Sequence, residues 1–215
     1  MRSTPRPRPE GGASAIAPLF PLPNVFLFPG CVMPLHVFEP RYRLMIEEQL
    51  DGPGRIVVGT VPDEHADDLP ASPPVRAVAG LGEICRHERL PDGRFLIWLF
   101  GLGRVRVSEV GSDGPYRRVA IEPLCEIKPS PARAAPLASR LREAVRERGA
   151  DVCKLPKDIP LSCLADLLLQ RLQLPSATMA RLFAELDVEK RALGALEEHA
   201  RRLLSDPPPS AEPSP

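Results

Sequence analysis

Prolines interrupt this chain at short intervals and limit the length of any regular element. The sequence contains 28 prolines among 215 residues, and twenty of them lie between residues 18 and 205. Proline lacks a backbone N–H and clashes with the preceding helical turn, so helices and central strands end near it. A long uninterrupted coiled coil is therefore excluded. The chain must instead be built from short elements joined by frequent turns.

The two ends of the chain differ in composition from the part between them. Residues 1–17 and 206–215 are dominated by proline, alanine, glycine, serine and charged side chains. Such segments bury too little apolar surface to offset the entropy lost on ordering, so we predict a disordered tail at each end. The arginines near the N-terminus are not followed by an apolar run, which excludes a signal peptide.

Charge and cysteine content restrict the partner and the compartment. The 28 basic side chains equal the 28 acidic ones, so no net positive field favours nucleic acid. Five widely spaced cysteines without a CxxC pair do not indicate a disulfide scaffold in a chain of this length. No apolar run reaches the roughly 18 residues that a membrane span needs. We therefore expect a cytoplasmic protein that does not cross a membrane.

The first half of the chain, residues 18–128, is predicted to be rich in strands. Two short apolar runs, Val25–Phe28 and Cys31–Phe38, flank a Pro-Gly turn. Pro40 then begins a helix at the position that favours proline. Further on, Gly93 follows Asp92 and predicts a hairpin, because glycine takes the positive φ that such a turn requires.

The apolar segment Phe95–Phe100 contains the only tryptophan of the chain. Side chains alternate across a strand, so the segment presents two apolar sets, of which one must face the core: Phe95, Ile97 and Leu99, or Leu96, Trp98 and Phe100. The glycines that follow, Gly101 and Gly103, predict a bend or a β-bulge.

The second half, residues 134–205, is predicted to be helical. Apolar residues recur there at helical spacing, Pro160 and Pro175 precede two of the helices, and Asp187 is placed to cap the last one. Strands followed by helices are typical of an α+β fold with two segregated parts. We therefore predict a β-rich subdomain with one or two short helices, followed by a helical bundle.

The motifs of several enzyme classes are missing. The sequence has no GxxxxGK[ST], no HExxH and no GxSxG, and none of its four lysines follows a glycine. A P-loop ATPase is thereby excluded. Cys85 and His87 lack a second ligand pair at zinc spacing. We expect no catalytic residue, no cofactor and no metal.

The segment that runs from Pro18 to Tyr42 closely resembles the opening of the Lon protease N-terminal, substrate-binding domain. It has the sequence PLFPLPNVFLFPGCVMPLHVFEPRY, dense in proline and phenylalanine. Further similarities follow in the same order, at Gly82, at the LPDGR turn, at Pro115-Tyr116 and in the helical region near Asp187. The resemblance covers residues 18–205 and implies a PUA-like β pseudo-barrel followed by a helical bundle.

In full Lon proteases this unit precedes an ATPase motor and a peptidase. No motif of either occurs here, so we expect a stand-alone N-domain. The residues that carry the resemblance are interpreted as structural; they are Pro29, Gly30, Pro34, Glu39, Arg41, Gly93, Gly101 and Arg104. Within this set, Glu39 is expected to pair with Arg41 or Arg104.

The resemblance implies a non-catalytic module that binds proteins or peptides in proteolysis or protein quality control. The expected partners are unfolded or extended polypeptide segments, together with a separate protease or chaperone. An RNA-binding PUA-like module is the alternative, and an enzyme with an unrecognised site is a third. We expect the peptide in a cleft between barrel and bundle near Trp98, or else on the outer face of the strands in 25–38. The predicted contact residues are aromatic: Phe26, Phe28, Phe38, Tyr42, Trp98 and Phe100.

Overall fold

The computed structural model describes residues 15–68, 72–111, 114–149 and 155–205. Residues 1–14 of the predicted N-terminal tail and the whole predicted C-terminal tail, 206–215, lie outside these ranges. Within the described residues the chain forms a six-stranded sheet followed by a group of helices. The predicted α+β fold, with strands before helices, is confirmed.

The strands form a closed barrel with one additional strand at its edge. Their order is β2-β5-β4-β3-β1-β6, and a further pairing of β5 with β6 closes the barrel. All neighbouring strands are antiparallel except β1 and β3, which are parallel. The six strands are β1 (Ala15–Pro23), β2 (Val32–Val37), β3 (Arg55–Val61), β4 (Val78–Arg89), β5 (Phe95–Val110) and β6 (Arg118–Pro123).

The long strand β5 belongs to two parts of the sheet. Its first half pairs with β2 on one side and β4 on the other, whereas its second half pairs with β4 and β6. The register with β4 shifts where Leu81 pairs with Gly103 but Gly82 pairs with Gly101, so Leu102 is the extra residue of a β-bulge. The predicted irregularity is confirmed, although it bends one continuous strand and does not separate two.

Helix α1 (Pro40–Leu50) closes one end of the barrel. Pro40 occupies its first turn, and Tyr42, Met45 and Ile46 are buried. These side chains pack against the inner face of β5, which contributes Phe95, Ile97 and Leu99. The alternation predicted for β5 is therefore resolved: the set that contains Trp98 faces outward. A short 3-10 helix, Asp63–Asp68, follows β3.

In the described residues after the barrel the chain forms four helices: α2 (Pro131–Glu147), α3 (Leu161–Arg171), α4 (Ser176–Ala184) and α5 (Val188–Ser205). Asp187 caps α5 as predicted, because its carboxylate accepts hydrogen bonds from the backbone N–H groups of Glu189 at 3.0 Å and Lys190 at 3.2 Å. The helices bury their leucine-rich faces against one another, and Phe28 of the barrel part joins this core.

Two predictions for the first strand region were wrong: the position of the first strand and the end of the N-terminal tail. Val25–Phe28 is an irregular segment, and the strand lies earlier, in β1. This strand begins at Ala15, inside the predicted tail. It was missed because Pro18, Pro21 and Pro23 fall within nine residues, a pattern that disfavours a strand with neighbours on both sides.

A buried ionic cluster joins the barrel to the helices. Arg104 on β5 donates to a carboxylate oxygen of Asp166 on α3 at 2.8 Å and to the carbonyl oxygen of Phe183 at 2.7 Å. Arg191 on α5 lies 3.0 Å from the same carboxylate oxygen and also pairs with Glu126. Both guanidinium groups are almost completely buried, so this cluster fixes the two parts relative to each other.

Candidate functional site

An apolar surface lies on the outward side of β2 and the first half of β5. The antiparallel register places Val32 opposite Phe100 and Pro34 opposite Trp98. Val32 is 53% exposed and Phe100 is 39% exposed, and Trp98 is half-buried. We call this surface the outer apolar face; it consists of Val32, Pro34, Phe38, Leu96, Trp98 and Phe100.

Phe38 extends this face beyond the end of β2. It is 60% exposed, and its ring centroid lies 5.9 Å from that of His36, which is opposite Leu96 in the register. The inward-facing residues of the same strand, Met33 and Leu35, pack against the barrel core. Strand alternation therefore separates a core side from an exposed apolar side.

Charged side chains of β4 border the outer apolar face. Glu83, Arg86 and Glu88 lie opposite Phe100, Trp98 and Leu96, respectively. The Arg86 guanidinium lies 4.5 Å from the centre of the Trp98 ring, in the geometry of a cation–π contact. An exposed apolar surface with a charged rim is typical of an interaction site.

The free backbone edge of β2 offers a partner less than the side chains of the outer apolar face do. Within the described part of the sheet, β2 pairs with β5 only. Pro34 stands in the middle of β2 and has no N–H, so a partner strand would lack one hydrogen bond there. This surface therefore offers a partner mainly apolar side chains and an incomplete set of backbone hydrogen bonds.

Two of the six predicted contact residues are core residues, which corrects the prediction for them. Phe28 is 3% exposed, with its ring 5.1 Å from that of Phe183, and Tyr42 is 5% exposed, with its ring 4.5 Å from that of Phe20. Burial also raises the pKa of the Tyr42 hydroxyl. Neither side chain is available to a peptide in this structure.

The other four predicted residues lie in two separate places. Phe38, Trp98 and Phe100 belong to the outer apolar face. Phe26 is half-buried beside Phe183 and lines two clefts between the barrel and the helices. Trp98 lines neither of these two clefts and lies instead on the outer apolar face.

The residues of the family motif have structural contacts. Gly30 has φ of +76° and Gly93 has φ of +80°, as their turns require. Glu39 accepts a hydrogen bond from Arg41 at 3.0 Å. Pro29 lies in the turn with Gly30, and Pro34 lies in β2, while Gly101 packs against the backbone of Phe28 and Arg104 belongs to the buried ionic cluster.

Sequence reasoning missed Val32 and Leu96. The alternation along β5 could have identified Leu96 together with Trp98, because both occupy the same set. Val32 joins them only through the pairing of β2 with β5, which local sequence does not specify.

Two further properties apply to the residues that the structure describes. Among them, no group of three or more His, Cys, Asp and Glu side chains is arranged to hold a metal ion. In the same ranges, none of the helices combines the length and the apolar character that crossing a membrane requires.

Comparison with known proteins identifies the family. Residues 16–198 match the model of the ATP-dependent protease La (LON) substrate-binding domain. The chain therefore belongs to the family of Lon substrate-binding domains, as the resemblance of its opening segment predicted.

Curated relatives match over only a part of their length. Lon protease 2 of Sorangium cellulosum is 33% identical over 154 residues, which cover 71% of this chain and 19% of the relative. The Lon protease of Trichlorobacter lovleyi is 28% identical over 192 residues, which cover 87% of this chain and 23% of the relative. The chain thus spans about a fifth of the length of these relatives.

Solved structures share the fold. The N-terminal domain of a Mycobacterium avium complex Lon protease superposes with a TM-score of 0.64 at 17% identity, covering 86% of this chain and 98% of that one. A Lon N-terminal domain protein from Xanthomonas campestris gives a TM-score of 0.61 at 21% identity, covering 90% of this chain and 99% of that one.

Proposed function

We propose that this protein is a non-catalytic module that binds exposed apolar segments of other polypeptides. The observation that carries the proposal is the outer apolar face, where large apolar side chains of two strands remain in contact with solvent. Membership in a family of substrate-binding domains supports a polypeptide as the ligand. We further propose a role in proteolysis or protein quality control, together with a separate protease or chaperone.

The chemistry of the face suits an unfolded client. Folded proteins bury most of their apolar side chains, so an apolar surface discriminates in favour of chains that expose them. The exposed strand surface accepts side chains without strict shape requirements, and the charged border on β4 interacts with polar flanking residues. Such recognition is broad and weak, as a module that samples many clients requires.

The alternative, an RNA-binding module, receives less support from the arrangement of the arginines. A polyanion surface needs unneutralised basic side chains. Many surface arginines here form ion pairs with acidic side chains instead: Arg55 with Glu83, Arg89 with Glu47, Arg94 with Asp92, Arg106 with Glu122, and Arg133 with Glu189. We expect no salt-dependent retention of the protein on immobilised RNA.

Trp98 gives a direct test, because it is the only tryptophan and lies on the proposed surface. Titration with an unfolded, Trp-free polypeptide should change its emission in a saturable manner. Phe100→Ser should weaken binding, whereas Leu193→Ser, which alters a similarly exposed side chain on α5 (44%), should leave it unchanged. Binding that another method detects without a response of Trp98 or an effect of Phe100→Ser would reject this surface.

The proposed absence of catalysis is tested separately. The purified protein should hydrolyse neither ATP nor casein. Turnover that survives repurification and follows the protein peak would contradict this part of the proposal.

The thiols of Cys31, Cys85, Cys125 and Cys163 are unpaired, which supports a reducing compartment, and a cytoplasmic location remains a prediction.

A further inference from the structure

A groove separates the barrel from helix α4, away from the outer apolar face. It consists of two adjoining clefts of about 390 and 240 Å³ that share Phe26. In the larger cleft, Phe26 and residues 76–78 of the barrel part oppose α4. The smaller cleft lies between Asn24 and Asp63 on one side and the start of α4 on the other.

Each cleft contains a polar side-chain atom that is buried without a hydrogen-bond partner. They are Nε of Arg76 in the larger cleft and Oγ of Ser176 in the smaller one. The backbone of Arg76 is fixed by a hydrogen bond of 3.0 Å to the carbonyl oxygen of Thr60. Among the described residues Arg76 forms no ion pair, so its charge is available to a ligand.

A second cation lies at the same cleft. Arg181 on α4 is 3.9 Å from Glu198, and its side chain is 66% exposed. This pair is long, its arginine is solvated, and Glu198 is also paired with Arg201 at 3.0 Å, so the pair is weak. The larger cleft thus combines one unpaired guanidinium with another that can turn toward an anion.

The rest of the larger cleft is apolar and has room for a side chain. Ala177, Ala180 and Ala184 line it from one face of α4, and Val78 and Phe26 line it from the barrel part. Alanines extend little from a helix, so a ligand side chain can approach closely. The cleft therefore offers cations and an apolar pocket side by side.

We infer that this groove binds the C-terminal residue of a polypeptide, with its α-carboxylate at Arg76 and Arg181 and an apolar side chain among the alanines. An α-carboxylate is one bond from the carbon that carries the side chain, so both groups can be satisfied together. An aspartate or glutamate side chain ends at its carboxylate and brings no apolar group. The inference rests on the proposed function, since it specifies the class of polypeptide, but it uses a different surface.

The charges also determine the direction of the bound chain. Asp63 lines the smaller cleft and would repel a carboxylate there. The ligand residues that precede the C-terminus therefore extend from Arg76 past Phe26 toward Asn24. There the side-chain amide of Asn24 and the hydroxyl of Ser176 can form hydrogen bonds with the ligand backbone.

The test compares two forms of one probe, a fluorescein-labelled heptapeptide of sequence GSGSAVL, by fluorescence anisotropy. The free acid should bind at least about tenfold more tightly than the C-terminal amide, because charge-assisted hydrogen bonds are lost in the amide. Arg76→Gln should remove this preference, and Arg76→Lys should restore part of it. Arg133→Gln, a control on α2 that belongs to neither cleft nor the outer apolar face, should retain it.

Ala177→Leu provides an independent variant, because this exposed alanine lines the cleft and a leucine there fills it while both cations remain. It should abolish binding of the free acid without lowering the melting temperature. Equal affinity for acid and amide, or a preference that persists in Arg76→Gln, would overturn the inference. Either result leaves the proposed function intact if Phe100→Ser still weakens binding of unfolded polypeptide, so the two failures are distinguishable.

Discussion

The carboxylate of Asp166 should be essential for stability because it is shared by two buried arginines. Asp166→Asn keeps the shape and one hydrogen-bond acceptor but removes the charge that neutralises Arg104 and Arg191. The carboxylate side chain is 3% exposed, and its oxygen lies 2.8 and 3.0 Å from the two guanidinium groups. Burial raises the pKa of this carboxyl, while the two guanidinium groups beside it favour its charged form.

The size of the effect follows from the geometry. Removing one partner of a buried ion pair costs about 3–5 kcal/mol, because the other charge stays buried without compensation. Glu126 still neutralises part of the cluster, so we expect a loss within this range. For a chain of this size, about 1 kcal/mol corresponds to roughly 2–4 °C, which predicts a melting temperature lower by about 6–20 °C.

Urea denaturation followed by circular dichroism measures the difference. Glu122→Gln is the matched control, because Glu122 pairs with Arg106 at 3.6 Å with both side chains more than half exposed; it should cost no more than about 1 kcal/mol. The m value should stay unchanged in both variants. A midpoint for Asp166→Asn equal to that of the control would refute the buried ionic cluster as a stabilising link.

Two further predictions concern close packing and thiol reactivity. Gly101→Ala should destabilise the protein by about 1–3 kcal/mol, because an added Cβ would overlap the Phe28 carbonyl. Gly103→Ala is the control and should be tolerated, because its added Cβ meets no atom within 4 Å. Equal melting temperatures of the two variants would disprove the close approach at Gly101. Cys31 and Cys163 should react with iodoacetamide more slowly at pH 8 than the exposed thiols, because burial raises their pKa and lowers the thiolate fraction. Mass spectrometry of timed samples checks this order, with the exposed thiols of Cys85 and Cys125 as the reference. Fast labelling of either half-buried thiol would contradict it.

The sequence by itself determined the features that depend on local interactions. Pro40 begins α1, Gly93 turns the hairpin between β4 and β5, and Asp187 caps α5, each through atoms only a few residues apart. The order of strands before helices and the alternation along β5 follow from short-range periodicity in the same way. Dense local motifs also sufficed to identify the family from the opening segment.

Long-range pairing decided the rest. The prolines of β1 argue locally against a strand, yet the pairings with β3 and β6 hold it in the sheet. Phe28 and Phe100 are equally aromatic in sequence, but the turn at Gly30 sends Phe28 into the helical core, whereas the register with β2 leaves Phe100 beside Val32 on the surface. The groove at Arg76 exists only because α4 packs against the barrel. Burial and exposure depend on contacts between residues distant in sequence, and local composition does not encode which of those contacts form.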